Sequence, residues 1–322
     1  MADGGDRRMI PKDMKGLLRI SSEIADPSNA NKTSEEVITQ MDPERKEFLE
    51  KALSELNTDP VQRMKACIHV IKNTDDSEDG VDTKLSALEE ILDWCGQIDF
   101  AIDFHKIGGF EILPQLLNHE ESELRWNCLE VIAEIVQNNP YCQKAVLEHG
   151  LMPVLLKMLD TDSNNTVKTK ALYALSCLAR DDPDSQKKFV ELNGFSYLMR
   201  AMQTNVEKLQ VKASFMLRGM CTSNPEFKDT LCDIGMVEQL IGLVQQDHNQ
   251  QHEHMMNALL LLVTNHQRAK QIAQKSEFKL IDFLQQRIEF LKGKEEFLEE
   301  SEYAQQILSI MKQEEDTSTA IR

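Results

Sequence analysis

The stretch ELRWNCLEVIAEIVQNNPYCQKAVLEHGLMPVLLKMLD, Glu123–Asp160, decides the fold. A long amphipathic segment runs to Asn139, Pro140 opens the shorter YCQKAVLEH, and Gly150 separates this from the apolar LMPVLLKMLD. Proline fits the first turn of a helix, where no amide donor is needed, and it disfavours helical backbone in the residue before it. Glycine between two helical segments allows a sharp reversal or a close crossing. The spacing therefore predicts three helices in the order long, short, medium.

The same order recurs on both sides. Downstream, TVKTKALYALSCLARD leads to Pro183, SQKKFVELN to Gly194, and FSYLMRAM closes the unit; then LQVKASFMLRGMCTSN leads to Pro225, EFKDTLCDI to Gly235, and MVEQLIGLV follows. Upstream, a less regular copy runs DTKLSALEEILDWC, AIDFHKI, Gly108-Gly109, FEILPQLL. A fifth copy, HEHMMNALLLLVTN, lacks both the proline and the glycine. Glycines 109, 150, 194 and 235 are spaced by 41, 44 and 41 residues, a period that belongs to helical solenoids. No such unit can cover its apolar face alone, so neighbours must stack into one continuous core with a concave face.

Around this array the expected organisation is a flexible segment over 1–40, a helical cap over 41–81, repeats over 82–278, a second cap over 279–313 and a tail over 314–322. Asp42-Pro43 and Asp59-Pro60 each read as a helix cap followed by a first-turn proline. Asn73–Asp82, containing TDDSEDG, reads as an acidic loop. After the fifth repeat, FKLIDFLQQRIEFLKGKEEFLEESEYAQQILSIMKQ reads as two charged amphipathic helices joined near Gly293.

Composition narrows the partners. The 322 residues include 54 acidic against 36 basic, a net charge of −18 that repels phosphate backbones and anionic membranes, so neither nucleic acid nor a membrane is expected as a partner. No apolar run approaches the roughly 20 residues that span a bilayer, and Met1–Ile10 has no apolar stretch of signal-peptide length. The expected location is the cytosol, with the nucleus as a second. Seven scattered cysteines, odd in number, fit buried thiols better than disulfides or a zinc knuckle.

The sequence shows no P-loop, GxGxxG, GxSxG or HExxH, so no enzyme, cofactor or small-molecule substrate is expected. His248 and His252 have the spacing of a helical metal pair, but His248 falls in an expected loop, and Glu253 and His254 point elsewhere on any helix containing His252, so no metal site is expected. The long helix of each unit should line the concave face. Its i, i+3, i+4 rows give Ser86, Glu89 and Asp93 in the first unit, Asn127, Glu130 and Glu134 in the second, and Lys170, Tyr173 and Arg180 in the third. Lys212 and Phe215 follow in the fourth unit, and His254 and Asn257 in the fifth. The face is acidic at one end and basic-aromatic further along, which suits a folded protein of mixed charge.

ALYALSCLA with LNGFSYLMRAM resembles armadillo repeats, and longer stretches resemble one family, the Hsp70-binding protein and Fes-one group of nucleotide exchange factors. These stretches are MDPERKEFLEKALSE and QRMKACIHVI, ALEEILDWCGQIDFAIDFHKIGGF, LRWNCLEVIAEIVQNNP, VKTKALYALSCLAR, KLQVKASFMLRGMC and HEHMMNAL, collinear from Met41 to Gln305. The resemblance implies an all-α fold, a right-handed superhelical solenoid of armadillo-like repeats with helical caps. It implies a monomeric co-chaperone whose partner is the ATPase domain of an Hsp70-type chaperone, held in the concave face so that the nucleotide cleft opens and ADP leaves. Ala101 and Lys212 fall in segments matching the family's chaperone-contacting face. The resemblance also implies a client-mimicking segment, for which PKDMKGLLRI offers Leu17, Leu18, Arg19 and Ile20. The competing expectation is an armadillo adaptor for basic peptides, or a general scaffold. Adaptors of that kind carry a Trp and Asn ladder, and the corresponding positions here are Glu89 and Asp93, Glu130 and Glu134, Tyr173 and Cys177, Phe215 and Gly219.

Overall fold

A computed structural model describes residues 59–313, and from Pro60 onward these form one packed unit. The expected N-terminal helix after Asp42-Pro43, the segment Leu17–Ile20 and the tail from 314 lie outside the described residues.

Glu123–Asp160 folds within three helices: α5 (Ser122–Val136), α6 (Pro140–Glu148) and α7 (Leu151–Thr161). Before them come α1 (Pro60–Asn73), α2 (Glu78–Cys95), α3 (Ile98–Lys106), a 3-10 turn Gly109–Ile112 and α4 (Leu113–Leu117). After them the third unit comprises α8 (Asn165–Ala179), α9 (Pro183–Glu191) and α10 (Gly194–Met202), and the fourth α11 (Glu207–Ser223), α12 (Phe227–Asp233) and α13 (Met236–Val244). Then follow α14 (His252–Val263), α15 (Gln267–Ala273), α16 (Leu280–Leu291) and α17 (Leu298–Lys312). No strand occurs among the described residues.

The long helices α2, α5, α8, α11, α14 and α17 pack in that order, each against the next. α5 and α8 are enclosed on several sides: Leu124, Leu129, Ile132 and Ile135 on one, and Leu172, Leu175 and Leu178 on the other, are all fully buried. Burying one such side chain is worth about 1.5–3 kcal/mol relative to leaving it exposed. In the second, third and fifth units the turns between first and second helices share one device. Asn138, Asp181 and Asn265 take left-handed backbone, and the next residue caps the second helix: Asn139 accepts from Cys142 N, Asp182 from Ser185 N, and His266 from Ala269 N. Side chains on second helices then reach the carbonyl ends of the following long helix. Gln143 Nε2 lies 3.3, 3.2 and 3.0 Å from the oxygens of Cys177, Leu178 and Arg180, and Lys228 Nζ donates to Thr264 O at 2.8 Å. These satisfy carbonyls that a helix terminus leaves orphaned.

Three expectations are corrected. The acidic loop expected over 73–82 is much shorter, because Ser77 caps α2 through its hydroxyl and Asp76 folds back onto the buried ammonium of Lys84 and onto His119. The fifth unit does not stop at 278: Lys279 takes the left-handed position that glycine occupies elsewhere, so α16 completes that unit and α17 stacks as a sixth long helix. In the third unit the left-handed residue is Asn193, and Gly194 is instead the first residue of α10. A Cβ on Gly194 would lie within 3.0 Å of the Phe189 ring, and one on Gly109 equally close to Phe104.

All seven cysteines are buried and unbridged. Burial pushes the thiols up, Cys67 to about 11 and Cys142 to about 12, which keeps them protonated and unreactive.

Candidate protein-binding face

The long helices carry most of the expected residues onto one face, and contacts between units join them. On α2, Glu89 and Asp93 are exposed. On α5, Glu130 receives Lys170 Nζ from α8 at 2.7 Å. The same ammonium stands 5.7 Å from the centre of the Trp126 ring. Tyr173 donates its hydroxyl to Gln137 Oε1 at 3.2 Å and carries Lys212 Nζ of α11 over its ring at 4.9 Å. Burial, with Cys177 beside it, raises the Tyr173 hydroxyl above its ordinary value, so it remains a donor. Phe215 of α11 is 56 % exposed, and its ring lies 5.7 Å from His254 of α14. Arg218, Ser214 and Asn257 close a shallow notch around that pair. The face is thus continuous from α5 to α14, with acid toward α2 and a basic-aromatic run through α8 and α11.

Two expected residues offer little surface. Asn127 is buried and spends its amide on Glu123 O at 3.0 Å, because it points between α5 and its neighbours rather than along the exposed row. Ala101 is 1 % exposed and belongs to α3, a second helix. It forms the floor of a recess of about 180 Å³ whose rim includes Ile98, Glu134, Gln137 and Asn138. Arg180, just past α8, is exposed. Trp126 and Arg218 were not anticipated, yet the rows that carry them were legible: 126, 130 and 134 are separated by four residues, and 212, 215 and 218 by three.

Away from this face, His248 and His252 come together with Glu300 as neighbouring metal-ligand types. Arg287 Nη1 bridges His252 Nδ1 and Glu300 Oε1, both at 2.9 Å, while Nη2 donates to Val244 O at 3.0 Å and His248 Nε2 meets Glu300 Oε2 at 2.9 Å. The guanidinium occupies the place between the ligands, and the cluster ties α14, α16 and α17 together. Because Arg287 donates to Nδ1, His252 is neutral; burial first, and then Arg287, lower its pKa to about 4. Between its ordinary range and about 4 the unfolded chain binds a proton that the folded chain does not, so stability falls with acid. From pH 7 to pH 5 this histidine is expected to remove about 2 kcal/mol. Melting curves at both pH values check it: His252→Asn, which keeps an acceptor for Arg287 but cannot titrate, should flatten the difference, and an unchanged slope would refute the assignment.

Comparison with known proteins adds a second line. Residues 100–233 match a family described as the SIL1/FES1/HPBP1 C-terminal domain, and residues 14–104 match one described as nucleotide exchange factor Fes1. The chain is 35% identical over 313 residues to Hsp70-binding protein 1 of Homo sapiens, covering 92% of this chain and 85% of that one. It is 30% identical over 182 residues to the Hsp70 nucleotide exchange factor FES1 of Eremothecium gossypii, covering 54% and 62%. Among solved structures, a designed armadillo repeat protein superposes with a TM-score of 0.60 at 18% identity, over 79% of this chain and 100% of that one, which places the fold among armadillo repeats.

Proposed function

The chain belongs to the family of Hsp70-binding protein 1 and the exchange factors FES1 and SIL1, and from that premise we propose that it is a nucleotide exchange factor for an Hsp70-type chaperone, acting through the long-helix face. The observation that supports this use of the face is its continuity: Glu130–Lys170, Tyr173–Lys212 and Phe215–His254 each cross from one unit to the next, so a folded partner meets one preformed surface. Exchange requires no catalytic group. A factor that binds the open nucleotide cleft better than the closed one lowers nucleotide affinity by the same ratio by which nucleotide lowers its own. Seven buried, unbridged thiols support a chaperone of a reducing compartment, the cytosol. The basic-peptide reading finds less support, because Lys170, Lys212 and Arg218 would repel such a ligand along the middle of the face.

Stopped-flow release of a fluorescent ADP analogue from a purified cytosolic Hsp70 tests the proposal. The wild type is expected to accelerate release by about 5–150-fold, the ratio that ordinary coupling energies give when the loss of nucleotide affinity is carried by the dissociation rate. Ala101→Arg combined with Lys212→Ala should lose that acceleration, since the new side chain at 101 must run out through the recess. No acceleration by the wild type refutes exchange activity; equal acceleration by both moves the contact to another surface.

A further inference from the structure

We infer that the recess over Ala101 is a socket for one basic side chain of the protein partner, and that Glu134 is the residue selecting it; this rests on the reading of the face given above. The recess lies where the C-terminal ends of α2 and α5 meet the N-terminal turns of α3 and α6, so the partial charges of the helix ends oppose one another there. The fixed charge in the lining is the Glu134 carboxylate.

Two glutamates one turn apart on α5 differ in a telling way. Glu130 already holds Lys170 at 2.7 Å. Glu134 has no hydrogen-bond or ion-pair partner among the described residues, although Arg180 is close enough to bear on the same Tyr173 and Cys177. It is half-buried, which makes an unpaired carboxylate more responsive to an incoming cation than one on an open surface. Its surroundings fit the stem as well as the head of a long basic side chain. Ile98, 52 % exposed, and the methyl of Ala101 give an apolar wall for methylenes, while the side-chain amides of Gln137 and Asn138 supply acceptors beside the carboxylate. Gly96 stands beside the carboxylate: a Cβ there would lie 3.5 Å from Glu134 Oε1, an ordinary contact. The net charge of −18 draws partners by their basic surfaces, so the long-range field and the socket favour the same sign.

The measurement is affinity for the isolated ATPase domain of a cytosolic Hsp70, at low and at physiological salt, with the full chain carrying Glu134→Gln, Glu134→Lys or, as a control on α6, Glu148→Gln. Glu134→Gln preserves shape and an acceptor oxygen but removes the charge. It is expected to weaken binding about ten-fold or more, chiefly by faster dissociation, and to make the salt dependence shallower. Glu134→Lys should weaken it further, and Glu148→Gln should leave it unchanged. Melting curves matching the wild type keep the comparison free of folding defects. If the wild type binds and Glu134→Gln binds equally well, the socket takes no cation and this inference fails while the exchange function stands. If the wild type does not bind the ATPase domain at all, both fail.

Discussion

Replacing Arg287 with methionine is expected to cost about 3–5 kcal/mol of stability in the C-terminal part of the solenoid, the usual penalty for removing one partner of a buried ion pair. Glu300 is fully buried, and Arg287 meets it at 2.9 Å; with the guanidinium gone, the carboxylate keeps only His248 among the described residues. The backbone carbonyl of Val244 and Nδ1 of His252 lose their donor in the same step. Repeat arrays unfold by neighbouring units rather than all at once, so the loss should be local. Hydrogen exchange is expected to speed up in α14, α16 and α17 while α5 and α8 keep their protection. Adding Glu300→Leu should restore much of the loss, since a buried pair can often be exchanged for apolar side chains at little cost. A single variant within about 1 kcal/mol of the wild type, well below that penalty, would show that the pair carries no such weight.

That cluster also marks where sequence reading stops. The repeat order, the capping prolines and the long-helix rows depend on local chemistry with a fixed period, and for that reason they were readable in Glu123–Asp160 and its copies. Arg287 and Glu300 stand on different helices and look like two of many charges on amphipathic surfaces; nothing in their spacing says that both are buried against His252. The candidate face divides along the same line. Glu130, Lys170, Tyr173, Lys212 and Phe215 follow from helical rows, and their pairing across units needs only that the rows align. Ala101 could not be placed from its own helix, because the recess above it is made by the ends of four helices and a left-handed turn at Asn138. Lys279 shows the converse: a lysine takes a backbone conformation usually left to glycine, at the start of a helix that packs on α17.

The glycines that follow second helices are expected as reversal points, and at Gly194 the structure assigns a different duty with its own mutational signature. Taking the left-handed residue as reference, the position four before it and the position one after it are Phe104 and Gly109 in the first unit, Val146 and Leu151 in the second, Phe189 and Gly194 in the third, and Leu231 and Met236 in the fourth. In these four units a ring is matched with no side chain, and a smaller aliphatic with a second aliphatic, so the pair is read as filling one space; the fifth unit, with Lys275 and Leu280 around Lys279, departs from the pattern. Gly194→Leu is therefore expected to destabilise by about 3 kcal/mol, the upper end of ordinary overpacking, because the buried Phe189 has no room to withdraw. Combining it with Phe189→Val copies the second unit's solution and should recover most of that loss, while Phe189→Val alone should destabilise by leaving a cavity. Chemical denaturation of the three variants decides the matter. Recovery in the double variant would mean that the two positions are coupled by volume, whereas additive losses would mean that Gly194 is needed for its backbone and that the alternation along the repeats is incidental.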